Sequence, residues 1–148
     1  MNYSERFSSK FFARLLKPEG QNPIRDRATS FEIIFELLDQ KQKKDNYLIV
    51  ETGCMRGDHK PANSPYALGD DGASTYIFDD FINFYDGEVL SVDIKQANVD
   101  YADKYTSDRT SVYCSDSVKF LWDLDERNKI DFLYLDSFDL DPNNPTPS

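Results

Sequence analysis

The stretch YLIVETGCMRG at 47–57, followed by GDDGAST at 69–75, decides how this chain is read. Tyr47-Leu48-Ile49-Val50 is a continuous apolar run, the pattern of a strand buried on both faces. It meets an acid and a glycine in Glu51-Thr52-Gly53. A second glycine cluster, Gly69 and Gly72, then opens a helical pattern at Ser74. Strand, glycine turn and helix form the unit from which parallel sheets build nucleotide pockets at their carboxyl edges.

Downstream, Thr75 to Tyr85 reads as a helix crowded with apolar residues, with Asp79 and Asp80 on its polar arc. Asp86-Gly87 is a turn. Val89 to Val92 is a short second strand ending at Asp93. Gln96 to Tyr105 is a weaker helical segment, and Ser111 to Cys114 a third strand. Ser115-Asp116-Ser117 caps a helix whose expected apolar face is Val118, Leu121 and Trp122. Ile130 to Leu135 is strand 4, with Asp136 at its carboxyl end.

Upstream, residues 3 to 16 read as a helix, because Phe7, Phe11 and Leu15 recur at four-residue spacing. Lys17-Pro18-Glu19-Gly20 ends it, and Asn22-Pro23 prolongs the break. A second helix is expected from about Asp26 to Lys43, with Phe31, Ile34, Phe35 and Leu38 on one face and Asp26 or Thr29 as its cap. Residues 1–24 thus form a helical extension, and 25–148 the main domain. Two helices followed by β-α-β-α-β-α-β argue an α/β fold with a parallel sheet covered by helices on both faces.

Composition narrows the function classes. A chain of 148 residues is one domain by default, and 39% apolar with 14% aromatic residues is a folded composition. A net charge of −10 argues against a nucleic-acid partner, since affinity for phosphates comes largely from Lys and Arg. No apolar run approaches the roughly 20 residues of a membrane span. Cys54 and Cys114 form no metal or secreted framework, which suits reduced thiols in a cytoplasmic protein.

Four polar positions follow the four strands: Glu51, Asp93, the pair Asp116 and Ser117, and Asp136. Ligands of open parallel sheets bind at that edge. Asp93 stands 21 positions after Gly72, near the roughly 20 that separate a glycine turn from a ribose-binding acid. A carboxylate accepts from both ribose hydroxyls. The first glycine segment is Glu51-x-Gly53-x-x-x-Gly57, not G-x-G-x-x-G. An acid inside that loop repels a pyrophosphate and suits a cationic ligand.

VETG at 50–53, GDDGAST at 69–75, LSVDI at 90–94, CSDS at 114–117 and FLYLDSFD at 132–139 together resemble class I S-adenosylmethionine-dependent methyltransferases. The similarity is to the O-methyltransferase-like group with a long first loop, and covers about residues 30 to 141. It implies a three-layer Rossmann-like sheet of order 3-2-1-4, the N-terminal half of the methyltransferase order 3-2-1-4-5-7-6. It implies S-adenosylmethionine as cofactor and a small molecule or sugar hydroxyl as acceptor. By position, Glu51 and the backbone of Gly53 would hold the methionine moiety, with Gly72 and Ser74 in the second glycine segment beside them. Asp93 would take the ribose, and Asp116 with Ser117 would stand at the adenine edge. Asp136 falls where such enzymes bind the methionine amine or begin a metal site.

The resemblance leaves the catalytic base unassigned. His59, Arg56 and Lys60 lie in the long loop without matched positions. Asp136, Asp139 and Asp141 could supply oxygens to Mg²⁺, although acids in a polar loop are more often solvated. The family pattern continues past strand 4, which leaves three expectations: a fragment of a longer gene, which is favoured; a homodimer through the strand 4 edge; or a minimal form. The rivals in function are a non-catalytic Rossmann-like binding or association module and, more weakly, a nucleotide-dependent oxidoreductase.

Overall fold

The computed structural model describes residues 1–15, 27–41, 45–55 and 73–136. Four parallel strands form one sheet in the order β3-β2-β1-β4: β1 (Tyr47–Thr52), β2 (Gly87–Asp93), β3 (Thr110–Cys114) and β4 (Phe132–Leu135). Helices α4 (Ser74–Phe84), α5 (Gln96–Tyr105) and α6 (Ser117–Asp123) make the crossovers. Ahead of them stand α1 (Tyr3–Phe7), a π-helical turn (Ser8–Phe12), α2 (Ala13–Leu15) and α3 (Arg27–Gln40). The architecture is the expected α/β, Rossmann-like three-layer fold, in the expected strand order.

Register separates the two faces. Ile49 pairs with Val89 and Phe132, and Val50 with Leu90 and Leu133. Because successive side chains alternate, Tyr47, Ile49, Glu51, Val89, Ser91, Phe132 and Tyr134 share one face. Leu48, Val50, Thr52, Leu90, Leu133 and Leu135 share the other.

The first face carries the main core. Tyr3, Phe7, Phe11, Phe31, Phe35, Phe78 and Phe81 are buried there against Tyr47, Ile49 and Val89. Ring contacts tie the layers, including Tyr3 to Phe35 at 4.7 Å and Tyr47 to Phe81 at 5.0 Å, both edge-on. Edge-on aromatic pairs add about 0.5–1.5 kcal/mol beyond burial. The N-terminal helices therefore share the core of the sheet. The boundary expected at 24/25 falls outside the described residues.

The N-terminal helix differs from expectation in its winding. Tyr3, Phe7, Phe11 and Leu15 are all buried. Four-residue steps overshoot a 3.6-residue turn by about 40° each, so a pure α-helix would carry the later residues off the core. The wider π turn over Ser8–Phe12 brings the stripe back.

This segment is held by polar contacts as well. The Asp39 carboxylate accepts from the backbone N–H of Tyr3 at 3.1 Å and of Ser4 at 2.8 Å, and from the Tyr85 hydroxyl. Arg6 donates to both oxygens of Asp80 at 2.9 and 2.7 Å, and Lys10 adds a third bond at 2.9 Å.

Three details correct or extend the sequence reading. Strands β1 and β2 are longer than their apolar runs, because pairing with each other extends the ladder past Val50 to Thr52 and back to Gly87. Asp79, on the polar arc of its helix, is buried: its carboxylate accepts from the Ser107 N–H and hydroxyl and from the Thr110 hydroxyl. Helix α6 turns Phe120, Leu121 and Leu124 to the sheet, against Leu48, Val50 and Leu90, while Val118 and Trp122 are exposed. Asp26, Lys43 and the Pro/Gly break at 17–23 lie outside the described residues.

Candidate functional site

The carboxyl ends of all four strands meet at one edge. The Gly53 N–H donates to the Val92 carbonyl at 2.7 Å, the Ser115 N–H to the Asp93 carbonyl at 3.0 Å, and the Asp136 N–H to the Thr52 carbonyl at 2.8 Å. Each tip is thus fastened to its neighbour, so Gly53, Asp93, Ser115 and Asp136 line a single rim. Gly53 has φ +83°, the left-handed region that glycine enters without a Cβ penalty. It turns the chain away from the sheet there and leaves backbone at the rim.

Glu51 lies inside β1, not in the loop as the sequence reading had it, and its carboxylate points under the rim. The Ser74 hydroxyl donates to Oε2 at 2.5 Å; the Thr75 and Ser91 hydroxyls donate to Oε1 at 2.5 and 2.7 Å. The residue is fully buried. Burial outweighs those three donors and, with the charge of Asp136 nearby, pushes the carboxyl up to about 7. The Thr75 oxygen also accepts the Met55 N–H at 2.8 Å. Glu51, Thr75 and Met55 form one chain of bonds from the strand, through the start of α4, to the turn after Gly53.

Glu51 and Ser74 are both among the residues expected to face a ligand. Both point at each other across the β1–α4 junction. Ser74 and Thr75 open α4, where the helix dipole and free N–H groups favour an anion. The Glu51 carboxylate lies beside that end, held there by the Ser74 and Thr75 hydroxyls.

Asp93 stands at the end of β2, partly exposed. Its Oδ1 accepts from the Lys95 N–H at 2.8 Å and from Asn98 Nδ2 at 3.3 Å. These bonds fix the carboxylate at the rim. Cys54 is buried beside it, and burial first, then the charges of Asp93 and Glu51, push its thiol up, so it stays neutral. Asp116 caps α6, its Oδ2 accepting the Lys119 N–H at 3.0 Å, and Ser117 begins that helix. Asp136 faces the Arg27 guanidinium at 3.8 Å.

The fold therefore brings the predicted residues Glu51, Gly53, Ser74, Asp93, Asp116, Ser117 and Asp136 to the same end of the sheet, in two tiers. Gly53, Asp93 and Asp136 lie on the rim, with Asp116 and Ser117 following Ser115 there, while Glu51 and Ser74 form the support beneath it. Gly72, Arg56, His59, Lys60, Asp139 and Asp141 lie outside the described residues. Sequence reasoning missed Ser91, Thr75 and Asn98 as partners of the acids. Ser91 alone had a local signal, a polar residue inside an apolar strand.

Among the described residues no group of three acids, histidines or cysteines is placed to hold a metal. No helix among them is long and apolar enough to cross a membrane. A hollow of about 790 Å³ lined by Lys41, Asn46, Gly87, Glu126, Lys129 and Asp131 lies at the opposite edge, where the strands begin. No family model, curated protein or solved structure matches this chain.

Proposed function

We propose that this chain is the S-adenosylmethionine-binding unit of a methyltransferase acting on a small-molecule or sugar hydroxyl. The observation that carries the reading is the placement of Glu51 at the start of α4. In dinucleotide-binding folds the pyrophosphate takes that helix end. Here a buried carboxylate stands there, so a phosphate-bearing ligand would meet a competing anion. A ligand with no phosphate and a net cationic centre avoids the conflict.

The rim suits such a ligand. Asp93 offers a fixed carboxylate to ribose hydroxyls, and Gly53 offers backbone to the methionine end. Asp93 and Asp116 give the edge a negative potential that favours an ammonium and a sulfonium. The cofactor would supply the methyl group. The chain's residues would hold it for in-line attack, which is largely a matter of position. The Arg27 guanidinium beside Asp136 already answers that carboxylate's charge, so Mg²⁺ is not part of the proposal.

Thermal unfolding in the presence of S-adenosylmethionine, S-adenosylhomocysteine or NAD tests this reading. A ligand at 100 times its Kd stabilises by about 2.7 kcal/mol. The adenosyl-sulfur compounds are expected to raise Tm, and NAD to leave it unchanged. Stabilisation by NAD alone would favour the oxidoreductase reading instead.

A further inference from the structure

Glu51 is a buried acid held by hydroxyls alone. Ser74 donates to Oε2 at 2.5 Å, and Thr75 and Ser91 donate to Oε1 at 2.5 and 2.7 Å. Among the described residues no basic side chain bonds to it. The charged and titratable groups around it come from four elements. Tyr134 of β4 lies on the same sheet face, and Asp136 follows that strand, facing Arg27 of α3 at 3.8 Å. Cys54 lies in the turn after β1, and Asp93 ends β2. Burial keeps the Tyr134 hydroxyl and the Cys54 thiol neutral.

This cluster accommodates Glu51 with or without its proton. A hydroxyl both donates and accepts. The ionised acid takes all three donors. In the protonated acid Oε2, with one donor against two on Oε1, carries the hydrogen and the Ser74 oxygen accepts it. A carboxyl pushed up to about 7 exchanges between these forms at neutral pH.

The position of that charge is what matters. Glu51 stands two residues before Gly53, about 7 Å along the strand. The Thr75 hydroxyl that donates to it also accepts the Met55 N–H at 2.8 Å, so the turn at the rim rests on the same cluster. An ionised Glu51 acts on charge at the rim through protein interior, where screening is weak.

S-adenosylmethionine and S-adenosylhomocysteine differ by one methyl group and by the positive charge on sulfur. Asp93 and the Gly53 backbone would meet the ribose and methionine parts, which both compounds share. Only a group that senses the sulfur's charge separates them.

We propose that Glu51 is the specificity-determining residue for the charged methyl donor: its ionised form favours the sulfonium over the neutral thioether, and its protonated form does not distinguish them. This rests on the methyltransferase reading and deepens it. By linkage, binding of the donor expels the Glu51 proton, and the neutral product lets it return.

Isothermal titration of both compounds into the unaltered chain and into Glu51→Gln, from pH 5 to pH 8, tests this. Taking the ratio of the two affinities cancels the titration of the amino and carboxyl groups they share. A coupling of about tenfold, the order for unit charges about 10 Å apart in protein, acts on a carboxyl at about 7. The ratio of donor to product affinity in the unaltered chain is then expected to rise about eightfold over that range. In Glu51→Gln, which mimics the protonated acid, it is expected to stay constant. A second measurement needs no variant. Titrations at about pH 6.5 in buffers of different ionisation heat should show about half a proton more expelled by the donor than by the product. A ratio constant with pH in the unaltered chain, a ratio that rises equally in Glu51→Gln, or equal proton release by the two compounds would overturn the proposal and leave the binding reading standing. Binding of neither compound to the folded chain would overturn both.

Discussion

Ser74, the first residue of α4, donates its hydroxyl to the Glu51 carboxylate of β1 at 2.5 Å, and Thr75 beside it does the same. This junction fixes the start of the helix against the strand. It also makes the site sensitive to protons.

The Glu51 carboxyl rises from an ordinary value of 4.5 to about 7 in the folded chain, chiefly through burial. The native state therefore holds this proton more tightly than the unfolded state. Its stabilisation is complete below about 4.5 and is lost as pH rises through about 7, an effect on the order of 3 kcal/mol. Glu51→Gln should flatten the fall in stability over that window. Urea unfolding midpoints from pH 4.5 to 8 measure it, and identical slopes in both proteins would remove Glu51 as the source.

Thr75→Val keeps the shape but removes a hydroxyl that donates to Glu51 and accepts from the Met55 N–H. We expect a loss of about 1–3 kcal/mol, the range for a buried polar group left unpaired. Amide exchange at Met55 should accelerate beyond that of the core strands. Unchanged protection at Met55 would mean the relay does not hold the turn.

Gly87 has φ +131°, and a Cβ there would lie 2.1 Å from the Tyr47 carbonyl oxygen. Backbone cannot yield as a side-chain end can. Gly87→Ala should separate the starts of β1 and β2 and destabilise by at least about 2–3 kcal/mol. Denaturant melts report this, and a change within about 0.5 kcal/mol would contradict the register.

Burial pushes the Asp80 carboxyl up, but Arg6, Lys10 and Tyr3 together hold it below the ordinary carboxylate range. Its contribution is therefore present above that range and lost as pH falls through the lowered value. Asp80→Asn should cost roughly 1–2 kcal/mol at neutral pH, allowing for the partly exposed Arg6. The difference from the unaltered chain should shrink in acid, as thermal melts at pH 7 and pH 3 will show.

The parallel sheet was legible because buried parallel strands are largely apolar runs, and YLIV, VLSV and FLYL read that way. The position of the acids at the strand ends was legible for the same reason. Their orientation was not. Glu51 faces inward because Ser91, Ser74 and Thr75 sit 23 to 40 positions away and converge on it only in the fold. Asp79 is hidden by partners 28 and 31 positions away. On α6, Val118-Leu121-Trp122 is as regular an apolar stripe as the one that packs. A helix of seven residues has too few turns for periodicity to choose between them. The contacts to Leu48 and Tyr113 made the choice.

The central claim is that the four strand tips form one adenosyl-binding rim with Asp93 as its ribose acceptor. Isothermal titration of S-adenosylhomocysteine into the unaltered chain and into Asp93→Ala tests it most directly. The account predicts saturable one-to-one binding that weakens at least tenfold, about 1.4 kcal/mol, when Asp93 is removed while the fold is retained. No binding to the folded unaltered chain, or equal affinity in both proteins, would contradict it.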